Sequence, residues 1–244
     1  MLQNFVCKTA AFCMLILFST GSDAQKPITV PQNQYGLKVI DNQQLYSQTI
    51  FQDSSKKMVN LKKVIPELVL DLRYATTNNF TNKRMYPKQT IETYLRLPVA
   101  KALLLVQQEL SAEGLGLKIF DAYRPYHITE KFWELIHDDR YVADPSKGSG
   151  HNRGIAVDLT IIYLQDEKEL DMGTGFDDFS DTAHHSFTAL SKEVLDNRKM
   201  FCSLMEKYGF KKFDTEWWHY SWPNPEYFEI LDLDIAKGKK YFGE

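Results

Sequence analysis

Cysteine is scarce in this 244-residue chain. Of its three cysteines, Cys7 and Cys13 lie close to the N-terminus, and Cys202 lies far along the chain. If the first segment is cleaved off, a single cysteine remains and no internal disulfide can form. The fold must therefore depend on an ordinary hydrophobic core. Cys202 has apolar neighbours at helical spacing and is expected to be a buried structural thiol.

A strong excess of charge and a long apolar run are absent as well. The 29 basic and 32 acidic side chains give a formal net charge of −3, which indicates no nucleic-acid partner. The apolar run from Thr9 to Phe18 is too short to span a membrane. No internal repeat or low-complexity tract is visible. Roughly 220 residues remain after cleavage of the first segment, which is enough for one well-cored domain.

The first 24 residues have the pattern of an export signal. Lys8 precedes the apolar run, and Ser22-Asp23-Ala24 has small residues where a signal peptidase cleaves. Cleavage after Ala24 and a periplasmic or secreted protein are therefore expected, and a buried N-terminal helix fits this pattern less well. Residues 25–58 are polar, show no clear periodicity and are predicted to form an N-terminal extension. The predicted catalytic domain covers residues 59–244.

Strands and helices follow one another irregularly in that domain. Helices are predicted over residues 98–110, 126–137 and 191–208, where apolar residues recur at helical spacing. Strands are predicted for the aromatic, β-branched or alternating segments LVLDLRYAT, LKIFDAY, GIAVDLTI and EWWHYSW. Because strand and helix do not alternate regularly, as they do in doubly wound proteins, an α+β fold is predicted.

Candidate metal ligands lie in two segments, SGHNRGIAVDLTI (149–161) and TEWWHYSW (215–222). A catalytic zinc ion takes three protein ligands from His, Asp or Glu and leaves its fourth position to water. His151, Asp158 and His219 are residues of these types. An aspartate inside an apolar strand is costly unless it is paired or bound to a metal. The sequence therefore predicts a zinc hydrolase.

The spacing within each segment says how such a site is built. GIAVDLTI alternates with period two, which predicts a half-buried strand with Asp158 on the face of small neighbours. Glu216 can serve as the base that takes a proton from the water. Glu216 and His219 are three residues apart and would face opposite sides of an ideal strand. If both serve one metal, Glu216 must lie at the strand entrance or on a bulge.

The two segments resemble a known family. S-x-H-x-x-G-x-A-x-D followed by E-x-W-H is similar to the motifs of the D-alanyl-D-alanine dipeptidases, the VanX-like zinc D,D-peptidases related to the hedgehog fold. The resemblance covers residues 59–244 and extends to DLRYATTNNFT (71–81), FDAYRP (120–125) and MGTGFDDFS (172–180). It implies a single domain with a central, mainly antiparallel sheet, flanking helices and one zinc ion per chain.

The resemblance also implies roles for individual residues. Arg124, at the end of a strand and beside a proline, would stabilise the charge that grows on the carbonyl oxygen. Tyr74 and Asp177 would bind the ammonium group of a free dipeptide, with Asp178 as a rival to Asp177. Ser149 would either hold the site by hydrogen bonding or contact the substrate.

Two other functions share much of this pattern. A D,D-carboxypeptidase that trims longer wall peptides would have the same metal ligands, although the tyrosine segment and the aspartate loop favour the dipeptidase. Proteins of this fold also bind zinc or partners without hydrolysis, and the presence of Glu216 and Arg124 argues against that function.

The predicted export bears on the biological role. An exported enzyme cannot reach cytoplasmic D-Ala-D-Ala, so turnover or salvage of wall-derived dipeptide outside the cytoplasm is expected. The expected partner is a small dipeptide, with no nucleic acid and no membrane span in the mature chain. Nothing in the sequence indicates an oligomeric state.

Overall fold

The computed structural model describes residues 28–243, so the predicted export signal and its cleavage site lie outside the described residues. No helix in this range is both long and apolar enough to cross a membrane. The helices are α1 (Gln43–Gln52), α2 (Leu61–Val64), α3 (Leu97–Ala112), α4 (Tyr126–Ile136), α5 (Lys192–Lys207) and α6 (Gly238–Phe242). The strands are β1 (Val39–Ile40), β2 (Met58–Asn60), β3 (Val69–Leu70), β4 (Tyr94–Arg96), β5 (Leu115–Asp121), β6 (Ala156–Tyr163), β7 (Lys211–Phe213), β8 (Glu216–Ser221) and β9 (Ile230–Leu231).

Five strands form the central sheet in the order β3-β5-β6-β8-β7. Only its β3–β5 pair is parallel within the described residues, and the other three pairs are antiparallel. Two small sheets lie beside it, β1 with β9 and β2 with β4. The predicted α+β class, with one mainly antiparallel central sheet and flanking helices, is confirmed.

Strand β6 lies at the centre of the sheet between β5 and β8 and is buried from Ala156 to Ile162. The predicted half-buried strand is therefore wrong, because other parts of the chain cover both faces of β6. A strand with two covered faces has no exposed polar side. The polar residues in its interior, Asp158 and Thr160, are buried with it.

The helices predicted from residues 98, 126 and 191 are all present. Helix α5 begins after Ser191, whose hydroxyl oxygen accepts the Val194 N–H at 3.2 Å and so satisfies one free donor of the first turn. Cys202 on α5 is only half-buried, so the predicted buried thiol is wrong. It lies at the margin of the buried face of the helix, beside Glu206.

The segment predicted as a featureless extension contains regular structure. Helix α1 begins after Asn42, which caps it, because the Asn42 side chain accepts the Leu45 N–H at 3.0 Å. Only Tyr46 and Thr49 of this helix are buried, so it has no apolar stripe that could be recognised in the sequence. The extension packs with the C-terminal tail in a second core cluster that includes Ile40, Tyr46, Met58, Leu231 and Phe242.

The strand predicted at LVLDLRYAT is much shorter than expected and covers only Val69–Leu70. The chain then leaves the sheet and forms a 3-10 turn at Arg73–Ala75. The N–H groups of Met85 and Tyr86 both donate to the Tyr74 carbonyl oxygen at 2.9 Å. The segment that follows Tyr74 therefore folds back on it, and this turn directs the Tyr74 side chain into the interior.

Candidate active site

The three predicted metal ligands lie together at one end of strands β6 and β8. Asp158 and His219 are cross-strand partners in the sheet. His151 lies in the turn before β6, where Gly154 has a φ of +68° that glycine adopts without strain. The Nδ1–H of His151 donates to the Ala122 carbonyl oxygen at 2.7 Å, so its Nε2 lone pair faces the other two residues.

The donor atoms are spaced as a zinc ion requires. His151 Nε2 lies 3.3 Å from His219 Nδ1 and 3.4 Å from Asp158 Oδ2. His219 Nδ1 lies 2.9 Å from Asp158 Oδ1. A tetrahedral zinc ion with ligands at about 2.0–2.1 Å holds neighbouring ligand atoms about 3.3 Å apart. Two imidazoles and one carboxylate are also a donor set that zinc accepts in catalytic sites.

The ionisation states of Asp158 and His219 are coupled. Burial alone would raise the pKa of Asp158, but the two histidines outweigh burial and hold that pKa below its usual value. Burial would lower the pKa of His219, but its hydrogen bond to Asp158 and the charges of Asp158 and Glu216 together raise it. The Asp158 carboxylate therefore stays charged, and a metal ion would have to displace the proton from His219, since only a neutral imidazole is a ligand.

We expect the His219→Ala variant to lose most of the zinc that the purified protein holds, because the site then has two of its three predicted ligands. Metal analysis after dialysis measures this directly. His127→Ala is a suitable control, since His127 is paired with Asp232 elsewhere in the fold. Full zinc retention by His219→Ala would exclude this ligand set.

Glu216 is the first residue of β8. The register between β7 and β8 shifts just before the Phe213–Glu216 pair, so the predicted irregularity at this strand entrance is present. The Glu216 Oε2 atom lies 3.8 Å from His219 Nδ1, on the ligand side of the strand. Burial raises the pKa of Glu216 above its ordinary value, which makes its carboxylate a stronger base.

Arg124 lies beside the ligand cluster, with its Nη2 4.0 Å from Asp158 Oδ2. Its guanidinium donates from Nε (3.0 Å) and Nη2 (2.7 Å) to Asp121 Oδ2. It also lies over the rings of Tyr74 and Phe132, at 5.1 and 4.9 Å from their centroids. Burial would lower the pKa of Arg124, but Asp121, the neighbouring tyrosines and Asp158 together raise it. The cation is thus held in a fixed place next to the metal site.

Asp177 and Tyr74 form a hydrogen-bonded pair in the same cavity. The Tyr74 hydroxyl donates to Asp177 Oδ1 at 3.0 Å. The second carboxylate oxygen of Asp177 is buried and has no hydrogen-bond partner among the described residues. Burial raises the pKa of Asp177 to about 8, and the negative charge of Asp158 adds to the rise. The pair therefore presents a buried acid without a cation.

The cavity that holds all these residues is small, about 250 Å³. It contains the three ligands, Glu216, Arg124, Tyr74, Asp177 and Ser149. It is also lined by an aromatic wall, which we define as Phe80, Phe132, Tyr141 and Phe179. Successive rings of the wall are 5.0 to 5.5 Å apart.

Comparison with known proteins identifies the family. The peptidase M15 family model, described as D-ala-D-ala dipeptidase, matches residues 54–233, a range that contains every predicted site residue. The chain belongs to the D-Ala-D-Ala dipeptidases. It is therefore a metallopeptidase by family.

Two relatives identified by sequence agree with this assignment. The chain is 34% identical to a D-alanyl-D-alanine dipeptidase of Escherichia coli (strain K12) over 177 residues, which cover 72% of this chain and 89% of that protein. It is 29% identical to one of Enterococcus faecium over 178 residues, covering 66% and 88%. A solved structure of the vancomycin resistance D,D-pentapeptidase VanY in complex with Zn(II) is 15% identical, with a TM-score of 0.37, over 61% of this chain and 86% of that one.

Two buried residues of this D-Ala-D-Ala dipeptidase were missed from the sequence. Asp121, which is fully buried, accepts from Arg124 through Oδ2 and from the Tyr86 hydroxyl through Oδ1 at 2.6 Å. Tyr86 is nearly fully buried as well. An acid three residues before Arg124 was a visible sign of an ion pair. Nothing in the sequence marked Tyr86, because it reaches Asp121 only through the fold.

Ser149 and Asn152 build the turn that carries His151. Ser149 Oγ accepts the Asn152 N–H at 3.2 Å, and Asn152 Oδ1 accepts the Ser149 N–H at 2.9 Å. The Asn152 Nδ2 group donates to the Arg124 carbonyl oxygen at 3.0 Å. The Asn152 carbonyl oxygen accepts the Leu231 N–H at 2.9 Å. Ser149 thus has a hydrogen-bonding role in the turn and also lines the cavity.

Two adjacent tryptophans and two adjacent histidines are further residues whose side chains could serve a binding site. Trp217 and Trp218 are buried in the main core cluster. His185 lies against the ring of Tyr220, with 6.1 Å between centroids, and neither it nor His184 lies among the residues that line the cavity.

Proposed function

We propose that this protein hydrolyses the free dipeptide D-Ala-D-Ala with one zinc ion per chain, held by His151, Asp158 and His219. The observation that carries the proposal is the Tyr74–Asp177 pair, which lies in the same small cavity as the ligand cluster. A bound zinc ion would polarise a water molecule and the scissile carbonyl, and would bring the pKa of that water near about 7.

Glu216 is the proposed proton carrier. Its carboxylate takes the proton of the attacking water and later delivers it to the departing amine. The raised pKa of Glu216 suits both steps, because the group must accept a proton and then give it up near neutral pH. At the entrance of β8, Glu216 lies beside His219. Glu216 is proposed to act on the water and not to bind the metal.

Arg124 is the proposed partner of the developing oxyanion. Negative charge grows on the carbonyl oxygen as the water attacks, and a cation already in place lowers the barrier without rearrangement. Asp121 accepts two hydrogen bonds from the guanidinium and fixes its orientation. Because Arg124 lines the cavity, its guanidinium is proposed to face the carbonyl oxygen of the bound substrate.

The ammonium group of the substrate is proposed to bind between Tyr74 and Asp177. A buried carboxylate with an unpartnered oxygen gains most from a cation at that oxygen. The Tyr74 ring contacts Phe80 and Phe132 of the aromatic wall, and the wall is proposed to limit the room for a residue preceding the ammonium group. This arrangement favours a dipeptide over a longer wall peptide. Ser149 is proposed to line the same site.

We further propose that the enzyme acts outside the cytoplasm, in turnover or salvage of dipeptide released from the cell wall. Support for this location comes from the export pattern of residues 1–24, because an exported enzyme meets wall-derived dipeptide and not the cytoplasmic pool.

The test compares D-Ala-D-Ala with its N-acetylated form on the purified zinc protein. Acetylation removes the ammonium charge and leaves Asp177 without its partner, so kcat/KM should fall by about thirtyfold, on the order of 2 kcal/mol. Asp177→Asn should reduce the difference in kcat/KM between the free and the acetylated dipeptide, because it lowers kcat/KM only for the free dipeptide. The neighbouring Asp178→Asn should leave this difference unchanged. Hydrolysis of the acetylated or a longer peptide at least as fast as the free dipeptide would identify a D,D-carboxypeptidase instead.

A further inference from the structure

Arg198, on helix α5, is a buried arginine that lies outside the cavity. Arg198 is 5% exposed, and no carboxylate lies within salt-bridge distance of it in the described part of the chain. Its guanidinium donates from Nε to the Met172 carbonyl oxygen at 2.7 Å and from Nη1 to the His184 carbonyl oxygen at 3.1 Å. Both hydrogen bonds are made to backbone, so the side chain holds a chain segment in place.

The segment between these two acceptors is residues 172–184, which we call the substrate loop because Asp177 lies within it. Arg198 contacts the loop at both ends. The planar guanidinium has donors fixed in a fork, so it can bind two carbonyl groups at once, which a flexible ammonium group does less well. One side chain thus links the two ends of the loop.

The approach of the loop to α5 is close. Gly173 has a φ of +84°, and a Cβ atom at this position would lie 2.9 Å from a Val194 methyl group and 3.5 Å from Arg198 Nη2. Only a residue without a side chain fits this passage. Gly173 therefore lets the start of the loop pass close to α5, on which Arg198 lies.

Asp177 needs this support because its own backbone is unfavourable. Its φ of +62° lies in the left-handed region, which costs free energy in a residue with a side chain and persists only where neighbouring structure imposes it. Inside the loop, Trp217 Nε1 donates to Thr174 Oγ1 at 2.8 Å, and the Phe176 ring stacks on Phe120 at 4.7 Å. These contacts fix the middle of the loop, and Arg198 fixes its ends.

We propose that Arg198 is a positioning residue for substrate recognition, which clamps both ends of the substrate loop and so holds Asp177 where the ammonium group of the substrate binds. The inference rests on the proposed function, in which Asp177 binds that ammonium group. Arg198 touches neither the ligand cluster nor Glu216, so its effect is on binding and not on the chemical step.

The experiment measures kcat, KM and zinc content for Arg198→Lys and Arg198→Met with D-Ala-D-Ala. We expect KM to rise about tenfold in Arg198→Met and less in Arg198→Lys, with kcat within about twofold and zinc content unchanged. Lys62→Met is the control, because Lys62 also donates to two backbone carbonyl oxygens, those of Pro66 and Leu68, both at 2.6 Å, on a loop outside the cavity. Its KM should stay at the wild-type value.

The double variant Arg198→Met/Asp177→Asn separates this inference from the proposed function. If Arg198 acts through Asp177, the loss in kcat/KM of the double variant is smaller than the product of the two single losses. Unchanged KM in Asp177→Asn would reject the proposed ammonium site. If Asp177→Asn raises KM but both Arg198 variants keep the wild-type KM, the proposed role of Arg198 is wrong and the ammonium site stands. The same follows if the double variant loses kcat/KM by the full product of the two single losses. Joint loss of zinc and of the cooperative unfolding transition in both Arg198 variants would also overturn it, since Arg198 would then serve folding in general.

Discussion

Glu216→Gln is expected to keep its zinc and to lose hydrolysis of D-Ala-D-Ala by about 10³- to 10⁴-fold in kcat. The amide has nearly the shape of the carboxylate but cannot take a proton from water. Glu216 lies beside His219 at the entrance of β8, where the carboxylate faces the ligand side and the strand is irregular. Metal analysis and steady-state kinetics on one preparation measure both quantities.

His219→Ala provides the comparison for this variant, since it should lose zinc and activity together. If Glu216→Gln also loses its zinc, Glu216 is a ligand and the base must be sought elsewhere. If zinc and activity are both retained, the water is deprotonated without Glu216, and its raised pKa has no catalytic meaning.

Arg124→Ala should depress kcat by about 10²- to 10³-fold and change KM much less, because the charge it meets exists mainly in the transition state. The kcat of Arg124→Lys should lie between the values for Arg124→Ala and the wild type, since a lysine keeps the charge but not the two-point contact with Asp121. A raised KM with an unchanged kcat would instead place Arg124 in ground-state binding.

Tyr86→Phe tests the support behind Arg124. The variant leaves Asp121 Oδ1 without the hydroxyl that donates to it at 2.6 Å. We expect kcat to fall about tenfold at unchanged zinc content, because a buried carboxylate that lacks a partner loosens the guanidinium it holds. Tyr123→Phe is the matched control. The hydroxyl of this equally buried tyrosine is bonded to the Leu233 backbone instead, so its loss should lower stability but not kcat.

The sequence indicated all three residues that the structure brings together as candidate ligands, and the reason is local. His151 and Asp158 lie seven residues apart in one turn and strand, and an aspartate within GIAVDLTI is conspicuous because burial makes it costly. The odd offset between Glu216 and His219 even predicted an irregular strand entrance. These features follow from spacing along the chain, which a sequence displays directly.

What the sequence did not predict depends on contacts between distant segments. Tyr86 reaches Asp121 and Arg198 reaches Met172 and His184 only in the folded chain. Alternating apolar residues gave no sign that the second face of β6 is covered too. Helix α1 was missed because its stabilising features are a cap at Asn42 and two buried residues rather than an apolar stripe.

The hydrogen bond between Leu231 and Asn152 also determines when the site can be completed during folding. Each proposed ligand and Glu216 precede residue 220 in the chain. The backbone next to His151 is nevertheless bonded to β9, and β9 also pairs with β1. Contacts that join such distant parts of a chain form slowly, since the intervening chain must first be ordered. During synthesis from the N-terminus, the chain therefore contains all its proposed ligands before it contains β9, which adds the last backbone contact to the turn. We expect the final ordering of this turn to be a late step of folding, which requires the C-terminal part of the chain.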